Sequence, residues 1–569
     1  MAAQKITSMV FQRIKKKKFT TEISPDEIFL DDVNLPEFDK AQFEGRIERP
    51  LGGGSAVALG VFFLLVVVIF GTRLWQIQIA EGNAYAERSL ANTLKTTPLF
   101  AERGRLLDRN GEQLAWNAPD TKHDEFLARR YTARSGSAHT IGFLKYPSKD
   151  SSGFYVRNDF NGVAGAESEY NEALAGENGV RTIEFDVRRT VVSESVVDLP
   201  RKGDDLTLTI DARLNEVLYG LLMERVRAVG FEGGAAALMD VENGEVIALT
   251  SAPEYEPQVL SNGVPAARIS AFVNDQKKPF LDRATAGLYA PGSIVKPLLA
   301  AAALEENIIT PEKQILSTGF ISIPNPYDKK RTSIFNDWKA HGWVDMRQAL
   351  AVSSNVYFYE IGGGFENQKG LGIARIEKYL RLFGLGEALA DPLLGGASGT
   401  IPGPEWKKIT FPNDLWRVGD TYNTSIGQYG ILVTPLQMLR AISAVANGGI
   451  LLQPTLIAGE KTDEQNVSVS NENLRVVREG MRLAVTEGSA GGLYLPFVSV
   501  AAKTGTAEVG ISKKRVHSWV VGFFPYEAPR YAFVVLLEKG PRENTVGGVY
   551  VMKQFFEWLA LNAQEYIER

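Results

Sequence analysis

The stretch Tyr289-Ala290-Pro291-Gly292-Ser293-Ile294-Val295-Lys296 runs into a segment dominated by alanine and leucine, residues 298–306. The Pro-Gly pair marks a turn, and the apolar run after it predicts a helix. A serine and a lysine three apart on a helix share one face, so the Lys296 amine can reach the Ser293 hydroxyl. A serine is a weak nucleophile until a base takes its proton. The chain has four histidines, His123, His139, His341 and His517, and none is placed by spacing to serve. A lysine with a lowered pKa can do so instead, in the serine–lysine manner. The helix N-terminus also favours developing negative charge. Taken alone the pattern is weak: at usage of roughly 6–7% for each residue it arises by chance about once or twice in such a chain.

Two further motifs follow in order. Ser353-Ser354-Asn355 lies between the apolar runs Ala349-Leu350-Ala351-Val352 and Val356-Tyr357-Phe358-Tyr359. A hydroxyl and an amide placed there can line a cleft wall, the one passing a proton to a leaving amine, the other meeting substrate backbone or Lys296. A helix cap explains the same residues equally well. Lys503-Thr504-Gly505-Thr506 reads as the end of a strand over 498–503. Its glycine lets another backbone approach, a peptide could add beside the strand, and Lys503 with the two threonines could hold a carboxylate. A second cation near Lys296 would lower the pKa of that lysine. The main-chain N–H groups of Ser293 and Thr506 are candidates for an oxyanion hole.

The surrounding pattern is α+β. Strands are expected over 206–211, 235–240 and 245–251, the last two joined at Glu242-Asn243-Gly244, and over 498–503, 517–524 and 531–538. Helices are expected over 215–229, 298–306, 434–447 and 550–568, with Thr434-Pro435 as cap and first-turn proline. An antiparallel sheet flanked by helices follows.

The N-terminal part is organised differently. Residues 51–72 carry no charge and 57–70 are almost wholly apolar, enough to cross a bilayer as one helix. Arg13 and Lys15 to Lys18 precede it, which keeps the N-terminus in the cytoplasm. Trp75 suits an interfacial anchor. The tail is too long for a cleaved signal peptide, and no small-x-small site follows Phe70. Residues 1–50 read as a mostly unstructured tail. A helix is expected to continue over 74–94, followed by an extended, β-containing module to about Pro200. The 569 residues suggest roughly three or four domain-sized pieces. An apolar content of 44% excludes global disorder, and a net charge of −5 gives no reason to expect nucleic acid. There is no cysteine and no His-x-x-x-His spacing, so neither a catalytic metal nor another cofactor is expected.

The three motifs together form the recognised signature of β-lactamases and penicillin-binding proteins. From Trp75 onward the chain resembles the class B penicillin-binding proteins, the monofunctional D,D-transpeptidases. Arg103-Gly104 with Asp108-Arg109-Asn110-Gly111, and Gly162-Val163-Ala164-Gly165-Ala166-Glu167 with Tyr170 and Gly176, look like the family's pedestal motifs. Leu208-Thr209-Ile210-Asp211, Met239-Asp240 with Gly244-Glu245, and Arg283-Ala284-Thr285 look like the start of its transpeptidase domain. Gly419 to Gln428 followed by Thr434-Pro435-Leu436-Gln437 is most similar to the elongation-type branch, penicillin-binding protein 2. The second motif ends in Asn355 where many of that branch have aspartate, and the long tail is atypical.

The resemblance implies a tail over 1–50, a transmembrane helix over 51–76, a pedestal (dimerisation-type) domain over 77–203 and a transpeptidase domain over 204–569. It implies cross-linking of peptidoglycan stem peptides through a serine acyl-enzyme, in elongation and rod-shape maintenance. Ser293 is the implied nucleophile and Lys296 the base. Ser353 would relay a proton, Asn355 position substrate, and Lys503, Thr504, Gly505 and Thr506 form the carboxylate-holding strand. β-Lactams would acylate Ser293. Implied partners are a multi-spanning SEDS-family glycosyltransferase and wall-synthesis scaffold proteins, with the catalytic part outside the cytoplasmic membrane. A division-specific transpeptidase, a β-lactamase and a non-catalytic β-lactam sensor or scaffold are the alternatives. The uncleaved span and the pedestal speak against a secreted hydrolase.

Overall fold

The computed structural model describes residues 53–568 except 121–122, 152–154, 186–189, 326–327 and 544–545. The expected tail and its basic cluster lie outside the described residues. The chain divides into two compact units, Met1–Asn92 and Thr93–Arg569.

In the first unit α1, Gly53–Trp75, is a 23-residue helix with a single charge, Arg73 in its last turn. At 1.5 Å per residue it is about 35 Å long, and nearly all its large apolar side chains are exposed. One helix, Ala56–Ala80, is thus long and apolar enough to cross a membrane. The helix expected over 74–94 is interrupted. Gln76–Ala80 widens into a π-helical turn that ends at Glu81, and α2, Gly82–Thr93, starts anew.

The second unit begins with the β-rich part expected before Pro200. Strands β1 (Leu94–Leu99), β2 (Leu106–Leu107), β3 (Gln113–Asp120), β4 (His123–Tyr131), β5 (Gly179–Phe185), β6 (Val191–Asp198) and β7 (Leu206–Thr207) form two sheets, ordered β1-β5-β6 and β7-β2-β3-β4. The two motifs of this region meet in its interior. Glu167 accepts from Arg103 Nε and Arg129 Nε, both at 2.6 Å, with all three side chains buried. Asp108 closes the β2–β3 turn by accepting from the backbone N–H of Asn110 and Glu112 at 2.8 Å. Its other oxygen accepts from Ala212 N at 3.2 Å, the first residue of α3 (Ala212–Val229). Here the strand expected over 206–211 is reduced to β7, because Asp211 leaves the ladder to cap α3.

The rest of the second unit is built on β8 (Gly233–Asp240), β9 (Val246–Ala252), β14 (Ala501–Val509), β15 (Arg515–Phe524) and β16 (Tyr531–Pro541), with hairpin strands β10 to β13 (Ile315–Ser317, Phe320–Asn325, Asp328–Asn336, Gly342–Val344) inserted between. The five-stranded sheet is antiparallel in the order β9-β8-β16-β15-β14, so β14 is an edge. The helices around it include α4 (Lys296–Glu305), α5 (Met346–Val352), α6 (Asn355–Gly363), α7 (Val418–Ser425), α8 (Pro435–Ala446), α9 (Asn471–Thr486) and α10 (Gly548–Asn562). Every residue of β8 is buried. Alternation sends Ala235, Ala237 and Met239 into the core with α4 and α8, and Ala236 and Leu238 into a second core with α3 and α10. The sheet is therefore covered on both faces, as apolar residues on both sides of a strand require. Thr434 and Gln437 cap α8 reciprocally with Pro435 in its first turn, as its sequence predicts.

One boundary differs in a way that matters. The strand expected to stop at Lys503 runs on to Val509, so Lys503-Thr504-Gly505-Thr506 lies inside β14. Gly505, expected to let another backbone approach, does so inside the strand. A Cβ there would stand 2.9 Å from Ile294 Cγ2 and 3.0 Å from Pro291 O.

Candidate active site

Ser293 sits in a 3-10 turn, Gly292–Val295, that feeds α4. Three contacts pin this turn. Gly292 N donates to Gly427 O at 2.9 Å, Trp519 Nε1 donates to Ala290 O at 3.1 Å, and β14 passes against Ile294 through Gly505. Gly427 has φ +74°, and a Cβ on it would lie 2.1 Å from Gly292 O. Only glycine can therefore support the Ser293 turn from that side. The stretch that marked the elongation-type branch is thus a wall of the site.

Lys296 is fully buried. Its Nζ donates to Ser353 O at 2.8 Å, Asn355 Oδ1 at 2.8 Å, Ser354 O at 3.2 Å and Ser353 Oγ at 3.4 Å. All four acceptors are neutral. Burial lowers its pKa to about 7, against the raising effect of the Asp337 charge. Lys503 is equally buried, donating to Ser353 Oγ at 2.8 Å and to Thr504 O at 2.9 Å. Its pKa falls well below the usual lysine range, through burial first and then the charge of Lys296. Burial is thus the first cause in both lysines, and the two amines, meeting at Ser353 Oγ, oppose each other's charge. The two titrate as a coupled pair.

Ser353 occupies the left-handed region at φ 61°, between the end of α5 and the start of α6. That strained backbone turns its hydroxyl between the two lysines. Ser354 caps α6, its Oγ accepting from Tyr357 N. The motif therefore satisfies both readings, one serine to the lysines and the next to the helix.

Ser293, Ser353, Asn355, Thr504 and Thr506 line one cleft of about 1100 Å³, with Asp337, Trp338, Asn423, Gln428 and Ser489 also in its walls. Lys503 is absent from this lining. Its ammonium lies behind the wall, so a carboxylate in the cleft would meet the Thr504 hydroxyl, which donates to Ser489 Oγ at 2.8 Å, and Thr506 on the exposed face. Ser293 Oγ has no hydrogen-bond partner among the described residues, so the expected contact with Lys296 is not made in this state.

These features coincide with known proteins. Residues 234–557 match the penicillin binding protein transpeptidase domain. The chain belongs to this family. Residues 121–208 match the penicillin-binding protein dimerisation domain. Peptidoglycan D,D-transpeptidase MrdA of Acinetobacter baumannii is 28% identical over 82% of this chain and 71% of its own length. MrdA of Escherichia coli K12 is 27% identical over 88% and 93%. Among solved structures, penicillin-binding protein 2 of Helicobacter pylori, in a complex with MreC, has a TM-score of 0.68 at 26% identity, covering 82% of this chain and 99% of that one. Penicillin-binding protein 2 of Pseudomonas aeruginosa, in complex with WCK 5153, has a TM-score of 0.67 at 28% identity, covering 83% and 100%.

Within this family frame, Asp337 is the residue that motif reading missed. Its buried carboxylate accepts from Ser354 Oγ at 2.8 Å, Val356 N at 3.0 Å and Ser317 Oγ at 3.2 Å. It thereby grips the segment whose carbonyls hold Lys296. It lies at the end of a hairpin, outside any short pattern. The only local signal was an Asn336-Asp337-Trp338 cluster after Ile334-Phe335.

Proposed function

We propose that this protein is a membrane-anchored D,D-transpeptidase that cross-links peptidoglycan stem peptides during cell elongation. One observation carries the mechanism: the Ser353 hydroxyl is held between the depressed amines of Lys296 and Lys503 in the wall of the cleft that contains Ser293. With a pKa of about 7, roughly half of Lys296 is neutral at neutral pH and can act as a base. Ser293 Oγ attacks the carbonyl carbon between two D-alanines while its proton passes to Lys296. The N–H groups of Ser293 and Thr506 hold the oxyanion. The C–N bond breaks, Ser353 passes its proton to the leaving amine while Lys296 returns one to Ser353, and terminal D-alanine departs. The acyl-enzyme remains. A side-chain amine of a second stem then attacks the ester, loses a proton, and Ser293 recovers its own. Asn355 orients substrate and Thr504 and Thr506 hold its carboxylate, with Lys503 acting through Ser353. The lysine–serine contact absent from the free enzyme forms as substrate closes the site.

We assign the tail to 1–50, the membrane anchor to 51–76, the pedestal to 77–203 and the transpeptidase domain to 204–569. The N-terminus is cytoplasmic and the catalytic part external. The assemblies of similar proteins, a complex with MreC and a peptidoglycan synthase complex coordinating polymerisation and cross-linking, support a scaffold protein and a glycosyltransferase as partners. β-Lactams, which imitate the D-alanyl-D-alanine end, should acylate the same serine.

The test is intact mass of the purified protein after exposure to a fluorescent penicillin, with and without Ser293→Ala. A stable adduct on the wild type and none on the variant is expected. Rapid drug turnover would turn the reading into a hydrolase. No adduct on folded protein would remove Ser293 as nucleophile.

A further inference from the structure

The cleft continues past the reacting centre. Along β14 the residues Thr504, Thr506, Glu508 and Gly510 line it in turn, every second residue facing the same side. Glu508 therefore lies about 7 Å beyond Thr506, on the side away from Thr504. β14 is the sheet's edge, so its outer backbone groups are available to an added strand. A substrate whose terminal carboxylate rests at Thr504 and whose scissile carbonyl rests at Thr506 must run antiparallel to β14. Its upstream residues then pass Glu508.

That end of the cleft is charged and asymmetric. Glu508 is held between Lys513 Nζ at 2.8 Å and Arg542 Nη1 at 3.0 Å, and all three line the cleft. The triad carries one surplus positive charge. Lys513 and Arg542 have side chains 62% and 55% exposed, so their donors are open to a ligand. Among the described residues Arg542 uses only Nη1, on Glu508 and on Lys513 O, which leaves Nε and Nη2 as a free fork. A guanidinium fork with spare donors beside a second cation suits a carboxylate. Glu508, itself too well paired to need a ligand, aims both cations into the cleft.

We propose that Lys513 and Arg542, oriented by Glu508, form a subsite for a free carboxylate carried by the donor stem peptide within the residues just upstream of the scissile D-alanyl-D-alanine pair. This rests on the transpeptidase reading and adds a substrate class to it. The enzyme prefers donor stems whose upstream residue keeps its carboxylate over stems in which it is amidated or replaced by a plain amine-bearing side chain.

The experiment compares two synthetic D-alanyl-D-alanine peptides that differ only in an upstream carboxylate or carboxamide. Each competes with a fluorescent penicillin for Ser293 on the full chain. The carboxylate peptide should compete about tenfold better on the wild type. Arg542→Gln, at an exposed position where folding is secure, should reduce that preference to within about twofold, and Lys513→Gln should reduce it partly. Equal competition on the wild type, with penicillin labelling intact, would overturn the subsite alone. A preference untouched by both substitutions would also overturn it. Failure of penicillin to label Ser293 at all would overturn the transpeptidase reading and the subsite with it.

Discussion

The pedestal and the catalytic cleft each bury a pair of cations, and they treat them in opposite ways. In the pedestal Arg103 and Arg129 share one carboxylate, Glu167, with both bonds at 2.6 Å. Further acceptors come from Glu167 O, Gly104 O and Asn117 Oδ1. In the cleft Lys296 and Lys503 have no carboxylate within bonding reach among the described residues, only neutral oxygens. A guanidinium keeps its charge under these conditions and needs the anion. An ammonium without an anion gives up its proton instead. The first arrangement is a staple between two sequence-distant segments. The second, on the mechanism proposed above, is a base. Residue choice and the presence of one carboxylate decide which is built.

The largest effect should come from removing the base. Lys296→Met keeps the length and apolar stem of the side chain but cannot take the serine proton. Penicillin acylation of Ser293 should fall by at least about a thousandfold, within the range by which activated nucleophiles and their bases act as a unit. Stopped-flow labelling measures this. Because the lysine is buried without a counter-ion, the same variant should be no less stable to denaturant than the wild type. A loss of both rate and stability would break the contrast with the pedestal, by making Lys296 a structural cation as well.

Next is the pedestal staple. Glu167→Gln leaves two buried guanidinium groups facing one another, and each already has one nitrogen without a partner. Breaking a buried ion pair from one side costs about 3–5 kcal/mol. A fall of that size in the denaturation free energy is expected, while the acylation rate constant of the folded fraction should change by less than about twofold. A variant as stable as the wild type would mean that the triad fixes geometry without holding the fold together.

The sequence disclosed these two regions unevenly, for physical reasons. Ser293, Lys296, Ser353 and Lys503 were legible because serine–lysine chemistry needs those types near turns and strands that short patterns report. The sheet strands, helices α3, α4, α8 and α10 and the capping of α8 were legible from the local pattern, whereas α5, α6, α7 and α9 were not. What escaped was set by long-range approach. The strand looked as if it ended at Lys503; the close approach expected at Gly505 is there, but that its neighbour is the Pro291–Ile294 turn could not be read locally. Lys503 looked like a hand for the substrate carboxylate, yet its depth behind the cleft wall depends on packing that no local pattern encodes. Arg103 and Glu167 were visible as separate motifs 64 positions apart, without a sign that they bond.

Asp337 gives the smallest effect and the finest test of the comparison, since it is the catalytic region's distant counterpart of Glu167. It bonds to Ser354, Val356 and Ser317, and reaches Lys296 only through its field. The groups facing Lys296 are Lys503, the Ser353–Asn355 segment and, behind that segment, Asp337 with His341 at 3.7 Å. The negative charge raises the Lys296 pKa while burial lowers it to about 7. Acylation requires the neutral amine, so its rate should climb as pH rises through about 7 and level off above. Asp337→Asn preserves an oxygen acceptor for the segment but deletes the charge. The protonated form of Lys296 then loses support, and the midpoint of the pH–rate profile should move downward by a fraction of a unit. An unmoved midpoint with a lower plateau would make Asp337 a clamp on the Ser353–Asn355 segment and nothing more. An upward shift would mean that the asparagine amide itself reaches the pair and favours its charged form. The downward shift would show that the cleft retains a carboxylate at second remove, close enough to moderate the base and too far to pair with it, which is the difference between this site and the pedestal staple.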